Sequence, residues 1–357
     1  MELVLYHPQY GYYSSGVVKI GAKGDYFTSS SLGADFGELL AEQFVQMWQI
    51  LGNPTPFTLV EMGAGQGELA QDILNYLQQH HLPLFNALEY LILEESPALI
   101  GQQQELLKSW QPVRWLSWQQ IPIASVIGCF FSNELLDAFP VHQITIKNGQ
   151  LEEIYVTFEK DRLVEISDKL STVKLLEYFR LVGITIPTPE YPENYRTEVN
   201  LTALDWQEKV ATRLKRGYIV TIDYGYPAVK YYHPQRSRGT LQCFYKHHRH
   251  GDPYVNIGNN DITCHIDFTA IERHGEFLGI ETIALTKQGM FLMALGLGKR
   301  LEALSSGEYS FKEILQRRDA LHQLIEPTGL GGFGVLVQSK GLNEQESQIV
   351  LNGLTVF

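Results

Sequence analysis

The stretch Phe57-Thr58-Leu59-Val60-Glu61-Met62-Gly63-Ala64-Gly65-Gln66-Gly67 decides the fold of this chain. Its mostly apolar first half predicts a buried strand over Phe57–Glu61, and apolar residues at helical spacing over Glu68–Leu77 predict a helix directly after the three glycines. Glycine is suited to a turn that brings the backbone close to a ligand, because it tolerates dihedral angles and contacts that a Cβ would forbid. The pattern therefore predicts a strand, a ligand-binding turn and a helix.

The glycine spacing separates two classes of ligand. A dinucleotide fold places its third glycine at position 68, where this chain has Glu68, and a glutamate there would repel a pyrophosphate. S-adenosylmethionine carries no phosphate and needs carboxylates for its amino group and ribose. We expect Glu61 to accept hydrogen bonds from the ammonium group of this cofactor, and Gly63, Gly65 and Gly67 to shape its cradle. A glycine turn that only packs the strand against the helix is the alternative.

Strand-like and helix-like segments alternate from residue 57 to 131, which is typical of an α/β fold with a mostly parallel, Rossmann-like sheet. The pattern changes at residue 141, where Lys147-Asn148-Gly149-Gln150 joins two alternating segments and predicts a hairpin. We predict an N-terminal segment with a lid loop over 1–56, a core over 57–140 and 217–357, and an inserted α+β subdomain over 141–216. Within the insertion, a helix is predicted over Glu198–Leu214.

Polar residues that follow the predicted second and fourth strands are candidates for the site, since ligands of open α/β sheets lie beyond the carboxyl ends of the strands. Glu94 follows the second strand and is predicted to accept both ribose hydroxyls, with Glu95 as its rival and a plain helix-terminal charge as the alternative. Asn133 and Glu134 follow the fourth strand, with Asp137 close behind. We expect these three to line the acceptor pocket, where two carboxylates could hold a guanidinium; a helix cap with solvated acids is the alternative.

Two polar loops complete the candidates. The loop Gly24-Asp25-Tyr26-Phe27-Thr28-Ser29-Ser30 could close over the cofactor through Asp25, Thr28 and Ser29, although such a stretch is more often a surface turn. A His-rich polar loop is predicted over 245–260. Cys243 and His247 provide at most half of a zinc ligand set, so no metal site is predicted.

The amino-acid composition disfavours some classes of binding partner. The 357 residues carry a formal net charge of −12 and contain no block of Lys and Arg, which disfavours binding to nucleic acid, and no apolar run is long enough to span a membrane. Three widely spaced cysteines favour a reducing compartment, so we expect a cytoplasmic protein. The sequence leaves open whether the chain forms a homodimer.

Several blocks of the chain, in order from end to end, resemble the MidA-like methyltransferases. These blocks are Leu5-Tyr6-His7-Pro8-Gln9-Tyr10-Gly11-Tyr12-Tyr13, Gly24-Asp25-Tyr26-Phe27-Thr28-Ser29, Val60 to Gly67, Glu94-Glu95-Ser96-Pro97, Ser132 to Gln143, Asp223-Tyr224-Gly225 and Asp261 to Phe268. The family usually has Gly-Pro-Gly-Arg-Gly in the glycine loop, whereas this chain has Ala64 and Gln66 in place of the proline and the arginine.

The resemblance implies a class I methyltransferase fold and S-adenosylmethionine as the cofactor. Mitochondrial members of this family are complex I assembly factors that methylate an arginine of the quinone-site subunit. We therefore expect a protein arginine N-methyltransferase whose partner carries an accessible arginine, such as a subunit of a complex I-type enzyme. A non-catalytic assembly or binding factor that keeps the fold is the alternative. An NAD-dependent oxidoreductase is opposed by Glu68.

Overall fold

The computed structural model of the protein describes residues 1–14, 28–245, 248–305 and 310–355. The strands are β1 Phe57–Met62, β2 Leu88–Leu93, β3 Val113–Trp115, β4 Val126–Asn133, β5 His142–Lys147, β6 Gln150–Glu159, β7 Arg162–Asp168, β8 Arg196–Val199, β9 Leu214–Asp223, β10 Gly225–Tyr226, β11 Gln242–Tyr245, β12 His248–His250, β13 Asp261–Thr263, β14 Ile266–Asp267, β15 Glu281–Lys287 and β16 Gly334–Lys340. The helices are α1 Glu2–Tyr6, α2 Asp35–Ile50, α3 Glu68–His80, α4 Leu82–Ala87, α5 Pro97–Leu106, α6 Lys174–Leu181, α7 Leu201–Arg213, α8 Ala228–Tyr231, α9 Phe268–Phe277, α10 Gln288–Ala294, α11 Leu297–Ala303, α12 Phe311–Ile325 and α13 Glu344–Ser347. Short 3-10 helices cover Ser29–Leu32, Trp118–Gln120, Leu136–Ala138, Leu330–Gly332 and Asn352–Leu354.

A seven-stranded sheet forms the centre of the molecule, in the order β15-β16-β9-β4-β1-β2-β3. Neighbours from β9 to β3 are parallel, and β16 is antiparallel to both β9 and β15. Because β15 and β9 are both antiparallel to β16, they point in the same direction. The carboxyl ends of all strands except β16 therefore meet at one edge, and the predicted mostly parallel α/β sheet is confirmed.

Helices cover both faces of this sheet, which explains why its strands are apolar at nearly every position. Leu59 and Phe131 face one layer of helices, where the rings of Phe131 and Phe44 in α2 are 4.9 Å apart. Val60, on the opposite face of β1, packs in the cluster that holds Trp206 of α7. Alternate residues of each strand thus belong to two separate cores, and the polar residues are left at the strand ends.

The insertion contains an antiparallel sheet in the order β7-β6-β5-β8. Asn148 and Gly149 join β5 to β6 with φ angles of 50° and 73°, which confirms the predicted hairpin. The predicted helix over Glu198–Leu214 is wrong at its start, because Glu198 lies in β8 and pairs with Gln143.

Helix α7, at the end of the predicted insertion, packs with the core. The indole N–H of Trp206 donates to the Met62 sulfur at 3.3 Å. The division into units at 57, 141 and 217 stays a prediction.

The N-terminal segment packs against a three-stranded sheet in the order β12-β11-β13. Leu5 and Tyr12 share a small apolar cluster with Cys243 and Ile262. The predicted His-rich loop over 245–260 is wrong at 248–250, which form β12. Across the described part of the chain, no helix is long and apolar enough to cross a membrane.

Candidate active site

A cavity of about 1570 Å³ opens at the edge where the parallel strands end. Its walls include residues that follow β1, β2, β4 and β9, namely Gly63, Glu94, Glu134 and Tyr224. Parallel strands place these residues side by side although they are far apart in the sequence, and this edge is where α/β folds bind ligands.

The glycine turn forms the floor of one half of the cavity. Gly63 and Gly65 have φ angles of 71° and 54°, which residues with a side chain rarely adopt. A Cβ on Gly63 would lie 2.7 Å from Cδ1 of Leu135. Both glycines line the cavity. Gly67, with φ of 90°, precedes α3 and lies outside the cavity lining, and its contact with the cofactor stays a prediction.

Glu61 lies at the end of β1 and is almost fully buried at the wall of the cavity. Its Oε2 accepts a hydrogen bond of 2.7 Å from the hydroxyl of Tyr90. Burial raises the pKa of Glu61 to about 7, the Tyr90 hydrogen bond acts in the opposite direction, and the charge of Glu94 raises it further. A buried carboxylate with a raised pKa is stabilised by an incoming cation, such as an ammonium group.

Glu94 is held in place by three neighbouring groups. Oε1 accepts 2.9 Å hydrogen bonds from the backbone N–H groups of Glu95 and Ser96, and Oε2 accepts one of 3.3 Å from the Gln103 side chain. Gln103 also donates to the carbonyl oxygen of Gly65 at 2.8 Å, so one amide group joins the glycine turn to Glu94. Glu95, the predicted rival, is exposed and does not line the cavity.

Asn133 and Glu134 stand at the end of β4 and line the cavity. Glu134 has a φ of 53°, and its backbone N–H donates to the Ile222 carbonyl oxygen at 2.8 Å. A non-glycine residue in this conformation is strained, and such strain clusters at functional sites. The carboxylate accepts hydrogen bonds from the Asn133 side chain at 3.1 Å and from the Ser29 N–H at 3.2 Å. Strand β4 continues to Asn133, and the side chain of Leu135, which precedes the next short 3-10 helix, does not cap it. The helix cap predicted as an alternative role for these residues does not form.

The pKa of Glu134 is raised to about 8, first by burial and then by the charge of Asp137. Hydrogen bonds from Ser29 and Asn133 oppose this shift, and the charge of Asp261 adds to it. Several carboxylates thus share one poorly solvated space, which favours a cation or a proton between them.

Asp137 is positioned by a second buried aspartate. Oδ2 of Asp223 accepts the backbone N–H groups of Leu136 and Asp137 at 3.0 and 3.3 Å, and fixes the 3-10 turn that carries Asp137. The Tyr224 hydroxyl donates to Oδ2 of Asp137 at 2.5 Å. Oδ1 of Asp137 is buried and has no hydrogen-bond partner among the described residues. Burial raises the pKa of Asp137, and burial together with the Asp137 charge raises that of Asp223 further.

The predicted lid residues fall into three groups. Thr28 lines the cavity, whereas Ser29 is fully buried behind it, where its hydroxyl donates to Gln288 at 3.1 Å. The contact of Ser29 with the cofactor stays a prediction, and its backbone N–H donates to Glu134. Asp25 lies outside the described residues.

Sequence reasoning gave no separate role to three residues of the cavity wall. The Tyr6 hydroxyl donates to the Ala138 carbonyl oxygen at 2.9 Å, and the Tyr13 hydroxyl donates to Oδ1 of Asp261 at 2.7 Å. These contacts join residues more than 130 positions apart, so no local pattern could reveal them. The only signal was that all three lie in blocks shared with the family that the chain resembles.

Comparison with known proteins identifies the family. Residues 39–286 match a family model described as "Putative S-adenosyl-L-methionine-dependent methyltransferase". The chain belongs to this methyltransferase family. A Burkholderia thailandensis protein, solved bound to S-adenosyl-homocysteine, is 31% identical and superposes with a TM-score of 0.84 over 99% of this chain and 88% of its own.

Curated relatives of this methyltransferase include the mitochondrial protein arginine methyltransferase NDUFAF7 and its homologues. The Drosophila melanogaster homologue is 28% identical, over 93% of this chain and 78% of its own length. The human protein is 26% identical, over 93% of this chain and 76% of its own. The prediction of a cytoplasmic protein is contradicted by these relatives, which are named as mitochondrial. Cysteine usage reports on redox conditions and does not distinguish one reducing compartment from another.

S-adenosyl-L-methionine is the cofactor of this family, and the cavity fits it. The turn at Gly63 and Gly65 leaves backbone exposed where a side chain would fill the space, and Glu61 and Glu94 provide carboxylates on the same side. Within the described residues, no three His, Cys, Asp or Glu side chains are grouped as they would be to hold a metal ion.

Proposed function

We propose that this methyltransferase transfers a methyl group to an arginine side chain of a partner protein. The observation that carries the proposal is the pair of carboxylates, Glu134 and Asp137, that lines the cavity beside the glycine turn. Among the described residues, neither carboxylate forms an ion pair with a Lys, Arg or His side chain. The names of the curated relatives support arginine as the acceptor.

The glycine-turn half would hold the cofactor. Glu94 would accept hydrogen bonds from the ribose hydroxyls and Glu61 from the ammonium group, with Gly63, Gly65 and Thr28 in van der Waals or polar contact. When bound, S-adenosylmethionine supplies an electrophilic methyl group on a sulfonium centre. Asp25 is kept as a predicted cofactor residue.

Glu134 and Asp137 would hold the guanidinium of the substrate, and Asn133 would keep Glu134 in position. Oδ1 of Asp137 has no hydrogen-bond partner among the described residues, and a guanidinium N–H that reached it would form a strong charge-assisted hydrogen bond in this poorly solvated site. The attacking nitrogen must lose a proton on methylation. Glu134 would accept that proton, since burial makes its carboxylate a better base than a solvated one.

Cells that lack this chain provide the test. Mass spectrometry of their proteins, compared with wild type, is expected to show at least one arginine that loses its methyl groups. Complementation with Glu134→Gln should leave that arginine unmethylated, whereas Glu95→Gln, which changes an exposed neighbouring carboxylate, should restore it. Identical arginine methylation in all strains, or loss of methyl groups from another residue type, would contradict the proposal.

Release of S-adenosylhomocysteine on addition of the partner protein separates this enzyme from a non-catalytic assembly factor with the same fold. The identity of the partner, including a subunit of a complex I-type enzyme, stays a prediction. The expectations that the protein binds neither nucleic acid nor membranes, and that it could form a homodimer, also stay predictions.

A further inference from the structure

Four cations stand around one side of the same cavity. They are Lys230 in α8, Arg236 in the loop that follows, Arg249 in β12 and Lys287 at the end of β15. We call them the basic rim. The chain as a whole has a net charge of −12, so this cluster runs against the overall charge of the protein.

The basic rim is organised by an aromatic ring and by backbone groups. Nζ of Lys230 lies 4.2 Å and Cζ of Arg236 lies 4.4 Å from the centre of the Tyr226 ring, which stacks on His265 at 5.1 Å. Nζ of Lys287 donates to the Gly332 carbonyl oxygen at 2.8 Å. Cation–π contacts hold a cation in place and leave its outer side open to an anion.

Within the described part of the chain, none of the four cations lies within 4.0 Å of a carboxylate oxygen, as an ion pair requires. Elsewhere the protein does pair its arginines, since Arg317 and Arg300 both bind Asp35. The charges of the basic rim also lower the pKa of a neighbouring histidine. The pKa of His265 falls to about 4, mainly through burial and then through Arg236, Arg249 and Lys230. Uncompensated like charges in one place favour an acidic partner.

The sheet order sets the distance of Lys287, the rim cation on the central sheet, from Glu94 and from Glu134. Lys287 ends β15, which lies five strands from β2 and Glu94, a separation of roughly 24 Å at the usual strand spacing. It lies three strands from β4 and Glu134, which is roughly 14 Å, the length of about four extended residues. Lys287 is therefore far from Glu94 and within a short peptide of Glu134.

We propose that the basic rim binds an acidic stretch of the substrate polypeptide, positioned roughly three to six residues from the target arginine. This inference rests on the proposed function, because it takes the guanidinium to occupy the space at Glu134 and Asp137. The substrate class is thus a segment in which one arginine is flanked by Asp or Glu. The two charge clusters of the enzyme then match opposite charges of one peptide and fix its direction across the cavity.

Peptide binding tests the proposal without requiring turnover. The probes are fluorescent 15-residue peptides with one central arginine and either four Glu or four Gln at the flanking positions, measured by polarisation in the presence of S-adenosylhomocysteine. We expect the acidic peptide to bind about tenfold more tightly than the neutral one at low salt, because two or more ion pairs form at a partly desolvated rim. The advantage should disappear in Lys230→Gln/Arg249→Gln.

A matched control removes the same charge elsewhere. Arg162 and Lys215 are exposed, lie outside the cavity lining and form no ion pair within the described residues. Arg162→Gln/Lys215→Gln should keep the tenfold preference, and both double variants should unfold at the wild-type temperature. Equal binding of the two peptides to the wild type, or an equal loss in the control, would overturn the inference.

Two further arms separate the ideas. If an acidic peptide with alanine in place of arginine binds as tightly as the arginine peptide, the basic rim stands and the proposed guanidinium site fails. If a single-stranded oligonucleotide binds more tightly than the acidic peptide and depends on Lys230 and Arg249, the rim is a nucleic-acid surface and the inference is wrong.

Discussion

The two halves of the cavity satisfy their carboxylates in different ways. On the glycine-turn side, Glu61 and Glu94 accept hydrogen bonds from neutral groups such as Tyr90, Gln103 and backbone amides. On the β4 side, Glu134 and Asp137 also accept hydrogen bonds from neutral groups, but the charge of Asp137 raises the pKa of Glu134, and one Asp137 oxygen is buried without a hydrogen-bond partner among the described residues. The first half is already complete for a ligand that needs hydrogen-bond acceptors. A cation between the two carboxylates would stabilise the second half.

The largest expected effect is on the rate of methyl transfer, when Glu134 in the second half loses its charge. Glu134→Gln should lower the rate of methyl transfer by about 10²- to 10⁴-fold, because the amide can neither accept the substrate proton nor pair with the guanidinium. Steady-state kinetics on the identified partner protein measures this. Glu68→Gln, which removes another carboxylate from the cavity wall, is the matched control and should stay within a few-fold of wild type. Near-normal turnover by Glu134→Gln would remove this residue from the reaction.

A second variant probes the backbone of the first half. Gly63→Ala should destabilise the protein by about 1–3 kcal/mol, because its φ of 71° and the 2.7 Å approach to Leu135 both oppose a Cβ. Urea unfolding measures the change. Gly101→Ala is the control, since Gly101 lies in α5 with open space around its Cβ position, and it should stabilise the helix by about 0.5–1 kcal/mol. Equal stabilities for the two variants would mean that the turn is not as tight as described.

A further expected effect is a change in how stability depends on pH. The folded pKa of Glu134, about 8, exceeds its ordinary value of 4.5, so the folded protein binds a proton that the unfolded chain releases. Stability from this group is therefore complete below pH 4.5 and is lost as the pH rises through 8. Glu61 and Asp72, with pKa values of about 7, act in the same direction.

The difference between wild type and Glu134→Gln isolates the contribution of one carboxyl. Chemical denaturation from pH 5 to 9 should show a shallower fall in stability for the variant. Parallel curves would show that Glu134 titrates normally in the folded protein.

Local patterns predicted the first half well and the second half only in part. The strand, glycine turn and helix are consecutive in the chain, and Ser96 caps α5 as its position before Pro97 predicts. The hairpin at Asn148 and Gly149 is equally local. Failures occur where pairing is distant. Glu198 was assigned to a helix because its contacts in β8 come from β5, more than 50 residues earlier.

The same limit applies to the site residues. Glu94, Asn133, Glu134 and Asp137 could be placed at the cavity from the sequence because each lies at or just after the end of a strand at the binding edge. Ser29 sits behind the wall because of its contact with Gln288, which no spacing in the sequence reveals. Tyr13 and Asp261 also meet only through the fold.

The division of labour between the two halves is tested most directly by titrating S-adenosylhomocysteine into Glu94→Ala, Glu95→Ala and Glu134→Gln in a calorimeter. We predict that Glu94→Ala weakens binding by about 10- to 100-fold, as expected for loss of hydrogen bonds to a charged group, while the other two variants bind like wild type. Unchanged affinity in a folded Glu94→Ala protein, together with weakened binding in Glu134→Gln, would contradict it.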